Sequence, residues 1–294
     1  MRKIYSVTFF ISVGLLALSA AAVIYFGLNF GTDFKGGSLL EIEFAQRPDT
    51  TVVQEVLKKN NPDLGDVSVG LFGEKGMILR SKEIGEAEHQ KVLSDLQSAF
   101  GEIQEKRFNS VGGIVGQELR QNSLTAMIIM LVLIVVYIAF VFRKLSSALS
   151  PWSMGLAAII ALAHAVVIPM GVFAILGRYY GVEITAVFVA AVLTILGYSV
   201  SDVVVVFDRV RENVLRSGSR EKFSDLVHNS IMQTLTRSIN NTLATLLSLV
   251  AIYFFGGESI KYFALALILG IFLGPFSSVF VASPILVWWS RKRN

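Results

Sequence analysis

Six apolar stretches, each long enough to cross roughly 30 Å of hydrocarbon, constrain this chain more than any other feature. They lie at about residues 7–30, 124–142, 151–176, 184–207, 239–255 and 262–289. Lipid offers backbone N–H and C=O groups no partner, so runs of this length and polarity are expected to be transmembrane helices. Composition agrees: 16% of residues are charged, against roughly 25% in soluble domains. The net charge of +4 comes from scattered basic residues with no aromatic-basic groove pattern, which argues against nucleic acid as a partner. Cysteine is absent, excluding a disulfide framework, thiol catalysis and Cys-based metal sites. Met1-Arg2-Lys3, the apolar run and Ala20-Ala21-Ala22 have features of a signal peptide. The run continues to Phe30, however, beyond the roughly 7–15 residues of a signal h-region, so the first span is expected to be retained.

Six spans put both termini on one side. Arg2-Lys3, Arg143-Lys144, the basic segment from Arg209 to Arg237, and Arg291-Lys292-Arg293 all fall on that side, and the opposite short loops carry Arg178 and Lys261. Positive-inside bias therefore predicts cytoplasmic termini, with residues 31–122 outside. The expected organisation is a first helix over 1–30, an extracytoplasmic domain over 31–122, and five further helices over 123–294. A cytoplasmic amphipathic loop is expected at 208–236, where Phe223, Leu226, Val227, Ile231 and Leu235 recur at helical spacing suited to the inner leaflet.

Within the outer segment the periodicity changes in a readable order. Residues 38–44 alternate as a half-buried strand. Residues 50–60 follow with helical spacing of Val52 and Val56 behind the cap-like Asp49. Strands are expected at 66–72 and 77–81 around a turn at Gly73-Glu74-Lys75-Gly76. A helix over 86–100 presents Val92, Leu93, Leu96 and Phe100, and a strand over 102–108 closes the set. The predicted fold class is thus a membrane all-α bundle of six transmembrane helices with an inserted extracytoplasmic α+β domain of ferredoxin-like βαββαβ order.

Asp202 is the most informative single residue, because it lies inside the fourth span, about 9 Å along a helix from Asp208. A carboxylate at a span's centre costs about 2.5–3.5 kcal/mol to insert, so such groups usually face a bundle interior and mark ion or proton paths. Thr194, Tyr198, Ser201 and Asp202 fall in one polar stripe, with Ser199 beside them. Arg237 opens the fifth span ahead of Asn240, Asn241 and Thr242. It reads as a positive-inside anchor or as a mobile partner for Asp202. Asp202 and Arg237 are the candidate proton-transfer pair, and Thr194, Tyr198, Ser199, Ser201, Asn240 and Thr242 the supporting polar network. His164, mid-span with no second ligand type near it, is expected to make an interhelical hydrogen bond rather than bind metal. Gly270-x-x-x-Gly274 with Ser277 and Ser278 reads as helix packing, and Pro275 and Pro284 should bend the sixth span. Gly197-Tyr198-Ser199-Val200-Ser201 lacks the last glycine of a nucleophile elbow, and no phosphate-binding Gly-rich loop occurs, so neither an enzyme nor a bound cofactor is expected.

Five stretches together resemble the SecF group of the SecD/SecF family, within the resistance-nodulation-division (RND) superfamily. They are Gly31-Thr32-Asp33-Phe34-Lys35-Gly36-Gly37, VGGIVGQELR at 111–120, GYSVSDVVVVFDRVREN at 197–213, QTLTRS at 233–238, and Phe255-Gly256-Gly257. The resemblance implies half of a transporter in the bacterial cytoplasmic (inner) membrane. Six spans of a SecD chain would complete it, and the proton motive force would assist late-stage export of preproteins through the SecYEG channel of the Sec pathway. Implied partners are SecD, SecYEG, YajC, YidC, unfolded preprotein on the outer side, and the lipid bilayer. Asp202 and Arg237 match the family's transmembrane Asp and Arg, associated with proton conduction, and Gly31, Asp33, Phe34, Gly36 and Gly37 match its extracytoplasmic motif. The chain departs from the pattern at Ser201, Val203 and Ala165, the last standing where an additional carboxylate is frequent. The alternative reading is half of a proton-coupled small-solute exporter of the same superfamily.

Overall fold

A computed structural model describes residues 3–143, 151–217 and 221–291. Among them, six helices are long and apolar enough to cross a membrane, which agrees with the sequence expectation. The spans are α1 (Lys3–Phe26), α5 (Gly113–Val141), α6 (Pro151–Tyr180), α7 (Ala186–Ser217) and α8 (Phe223–Phe255). The sixth is α9 (Glu258–Ser277), which runs through a π-helical turn, Ser278–Ala282, into α10 (Ser283–Arg291). Arg2, Lys144, Arg220, Lys292 and Arg293, which enter the charge-bias argument, lie outside the described residues.

Two expectations about these helices need correction. Helix α5 starts at Gly113 rather than near residue 124, because Gln117, Glu118, Leu119, Arg120 and Gln121 are good helix formers that a hydropathy window does not see. Among the described residues of 208–236 there is no separate amphipathic helix: α7 runs on to Ser217 and α8 begins at Phe223. Its apolar face, Val227 and Ile231, is buried in a cluster with Tyr5, Val206, Val210, Val279 and Val287. That face packs on protein, and its own side-chain partners come from α1, α7 and the sixth span.

The chain divides into two compact units: Met1–Leu28, Thr125–Tyr179 and Val187–Asn294 form the helical one, and Asn29–Leu124 with Tyr180–Ala186 the other. In the second unit a short helix α2 (Thr32–Lys35) precedes β1 (Gly37–Phe44), α3 (Thr50–Asn60), β2 (Ser68–Phe72), β3 (Gly76–Ser81), α4 (Glu86–Phe100) and β4 (Ile103–Val111). The sheet order is β2-β3-β1-β4 with every pairing antiparallel, as the βαββαβ order requires of a ferredoxin-like sheet. Leu40, Ile42 and Phe44 from β1 meet Val53, Leu57, Met77, Leu79, Val92 and Leu96 in its core. The packed face of α3 is Val53 and Leu57 instead of Val52 and Val56, a one-residue rotation of the expected stripe. Asp49 caps α3, accepting from Thr51 N–H at 2.8 Å.

Two of the motif stretches turn out to be one piece of structure. Gly36 and Gly37 have φ of 78° and 118°, a region side chains rarely enter. A Cβ on Gly36 would stand 2.7 Å from Gly113 Cα, and one on Gly37 would stand 2.7 Å from the Ser81 carbonyl oxygen. The two glycines therefore let the turn before β1 close directly on the start of α5.

Candidate functional site: a buried carboxylate between three helices

Helix α7 buries Ile195, Ser199, Asp202, Val203 and Val206 along one face. Thr194 and Ser201 are exposed and Tyr198 half-buried, so the sequence stripe splits in two. Asp202 and Ser199 face the helical unit's interior, while Thr194 and Ser201 face out of the single chain. Asp202 itself is 5% exposed.

Its walls come from two other helices. Ser238 of α8 is the hydrogen-bonding side chain that faces the Asp202 carboxyl group, and Oδ2 has no hydrogen-bond partner. Thr242, one turn further along α8, is buried with its hydroxyl unpartnered, as is the Ser199 hydroxyl. On α9 a Cβ at Gly274 would lie 3.2 Å from Asp202 Oδ2 and 3.3 Å from Ser199 Oγ. A Cβ at Gly270 would come within 2.3 Å of Ile195 Cδ1. The Gly-x-x-x-Gly pair thus packs helices as the sequence indicates, and it also forms the floor beneath the carboxylate.

Arg237 and Asn240 are exposed on α8, and Arg237 takes part in none of the ion pairs found among the described residues. This structure does not bring Arg237 to Asp202. Asn241, also exposed, donates to the Tyr198 hydroxyl at 3.1 Å and links α8 to α7. His164 is buried with both ring nitrogens unpartnered and is stacked on Phe276 at 5.9 Å, so the expected interhelical hydrogen bond is not formed. No group of three or more His, Cys, Asp or Glu suited to a metal ion occurs among the described residues.

Sequence reasoning missed Ser238 and the role of Gly274. A signal for Ser238 was present: Ser238 and Thr242 stand at i, i+4, the spacing that puts two polar groups on one helix face. The motif residues of the Gly31–Gly37 stretch lie in the second unit. Phe34 is buried and packs edge-on to Phe30 at 5.7 Å, Asp33 accepts hydrogen bonds from Asn109 and Ala186, and Gly31 lies against Glu183. Among the described residues no cation pairs with this carboxylate, and a group so placed is costly as an anion.

Comparison with known proteins identifies the family. Residues 91–292 match the family described as protein export membrane protein SecD/SecF, C-terminal, and residues 26–46 match the SecD/SecF GG motif. Protein translocase subunit SecF of Thermobaculum terrenum is 42% identical over 282 residues, covering 92% of this chain and 87% of that one. The protein of the same name from Anaerolinea thermophila is 37% identical, covering 96% and 91%. The crystal structure of SecDF, a translocon-associated membrane protein from Thermus thermophilus, superposes with a TM-score of 0.84 at 30% identity. That match covers 99% of this chain and 39% of the longer SecDF chain.

Proposed function

Because this chain belongs to the SecD/SecF family of protein export membrane proteins, we propose that it is the SecF-type half of a proton-driven machine that assists preprotein export. The observation that carries the reading is Asp202: a carboxylate buried where α7, α8 and α9 meet, resting on glycine backbone, with Oδ2 unpartnered. A group so placed takes up a proton on one side of the cycle and loses it on the other. One elementary charge crossing the membrane is worth about 2.3 kcal/mol per 100 mV, enough to bias an element between two arrangements.

The tight floor makes the charge state mechanically relevant. Gly270 and Gly274 leave no slack against Ile195, Ser199 and Asp202. A change in what the carboxylate repels or attracts is met by a shift of helix packing, since close-packed interfaces are bistable rather than continuously deformable. Arg237, Asn240 and Asn241 give α8 an exposed polar face within a span, which lipid disfavours and a second set of helices would satisfy. A SecD chain supplies those helices, in keeping with the single long SecDF chain of which this protein spans 39%. In the assembled complex Arg237 is the cationic counterpart that Asp202 meets in one of its two states.

The protein resides in the bacterial cytoplasmic membrane with both termini inside, and residues 31–122 meet preprotein emerging from the SecYEG channel, with YajC and YidC as neighbours. The test is Asp202→Asn in inverted membrane vesicles containing the whole complex. Export that depends on the proton gradient should be abolished, with assembly with the SecD chain intact on co-purification. Undiminished export in that variant would refute the proposal.

A further inference from the structure

A proton-binding group that drives an outer domain needs a part that transmits displacement, and the connector between α6 and α7 is built like one. Although it follows the third span, Tyr180–Ala186 belongs with the outer unit. It lies beside the segment leaving α1 and makes one isolated parallel bridge to it, Phe30 with Ile184. Gly31 N–H donates to the Ile184 carbonyl at 2.9 Å, and Ile184 N–H donates to the Asn29 carbonyl at 2.7 Å.

Two acidic side chains then fasten this strap to the sheet. Asp33 accepts from Ala186 N–H through Oδ2 at 2.9 Å and from Asn109 Nδ2, on β4, through Oδ1 at 3.3 Å. Ala186 is the first residue of α7. One carboxylate therefore joins the first turn of that helix to an edge strand of the sheet. Glu183, in the middle of the strap, lies 2.6 Å from Arg80 Nε on β3, with side chains 15% and 25% exposed respectively. Space for it exists because residue 31 is glycine: a Cβ there would stand 3.0 Å from Glu183 Oε2.

A pair of charges this enclosed adds little net stability compared with apolar contacts, because desolvation offsets the attraction. What it does supply is a fixed register. Helix α7 is unbroken from Ala186 to Ser217, so Asp202 lies about 24 Å along the same helix from the residue that Asp33 holds. A rigid helix with a proton-binding group far along it and a hydrogen-bonded clasp at its start is a lever.

We infer that Asp33, seconded by Glu183, is a positioning residue that makes the start of α7 part of the outer domain, so that movement of α7 is passed to that domain. The inference rests on the proton-driven reading of Asp202. It gives the Gly31–Gly37 stretch a mechanical purpose, in which Gly31 admits Glu183, Asp33 holds Ala186, and Gly36 and Gly37 close the turn on α5.

The experiment uses the full chain with its SecD partner in sealed vesicles, comparing wild type, Asp33→Ala, Asp33→Asn and Asp202→Asn. Three quantities are read: gradient-driven export, proton flux through the complex, and hydrogen–deuterium exchange at Ile184 and Ala186. Asp33→Ala should lower export by roughly 5- to 150-fold, the usual span of coupling between sites, while proton flux persists. Exchange at Ala186 should speed up. Asp33→Asn, which keeps one acceptor, should fall between Asp33→Ala and wild type. Export at the wild-type level in Asp33→Ala despite lost protection overturns the inference and leaves the function of Asp202 standing. A parallel loss of export and flux also overturns it, since a merely structural role predicts that pattern. Full export in Asp202→Asn overturns the proton-driven reading and this inference with it.

Discussion

Buried polar groups around Asp202 are treated differently from those of the unit that holds the sheet. In that second unit, buried polar groups have polar neighbours, although Arg80 Nε and His89 Nε2 meet a carboxylate at ion-pair distance without forming a hydrogen bond. Ser38 Oγ accepts from Ile84 N–H at 2.9 Å and lies 2.7 Å from Ser110 Oγ, and His89, stacked on Phe108, has Glu105 at 3.3 Å. In the helical unit, Ser230, Ser277 and Ser283 are buried and hydrogen-bonded to backbone carbonyls, but Ser199, Thr242, His164 and Oδ2 of Asp202 are buried without a hydrogen-bond partner. Leaving such groups unmet costs about 1–3 kcal/mol each, more when one is charged. The difference teaches that the second unit is finished as a folded body, whereas the helical unit leaves a few groups unmet, a carboxylate among them. Strain of that kind concentrates where a protein changes state.

The comparison is broken most forcefully in the outer core. Leu96→Ala should cost about 2–5 kcal/mol, read as faster exchange across β1 and α4, because Leu96 is fully buried among Ile42, Phe44 and Val53. An effect below about 1 kcal/mol would mean that this core is not the finished body described. Ser38→Ala comes next, at about 1–3 kcal/mol, since it strands the Ile84 amide.

Glu183→Gln sharpens the contrast through pH. Burial raises the Glu183 carboxyl above its ordinary range, with Arg80 and Lys35 opposing and Asp33 adding to the rise. A raised carboxyl stabilises the fold fully below the ordinary glutamate value of about 4.3, and that contribution is lost as pH rises through the folded value. Wild type and Glu183→Gln should therefore melt together in acid, and the Gln variant should gain relative stability as pH increases. A gain by wild type at high pH would contradict that sign. The smallest effect belongs to Thr242→Val, which removes an unpartnered hydroxyl and should change the melting temperature by close to nothing while lowering export. A large loss of stability would show that Thr242 is answered after all.

How far the sequence foretold this is uneven for physical reasons. Spans one to six were legible because lipid imposes a length and a polarity that few other structures share. The order of strands and helices from β1 to β4 was legible from the change of period, and Asp49 from its cap chemistry. The extension of α5 back to Gly113 was not, because Gln117 to Gln121 read as polar surface and carry no stop signal. At the site, Asp202 stood out by the cost of its insertion, but which neighbours faced it depended on helix rotation. Ser238 rather than Arg237 is the inward residue of α8, a difference of one position and about 100° around the axis. Glu183 carried no local signal, since its partner Arg80 is distant in sequence and its space is made by Gly31.

If Asp202 carries the proton, it changes protonation as the complex turns over. Infrared difference spectroscopy on the reconstituted complex, before and after an imposed proton gradient, reads the carbonyl stretch of a protonated buried carboxyl group. The account predicts a band that appears and disappears with the gradient in wild type and is missing in Asp202→Asn. An identical band in both proteins, or none in either while export proceeds, would contradict it.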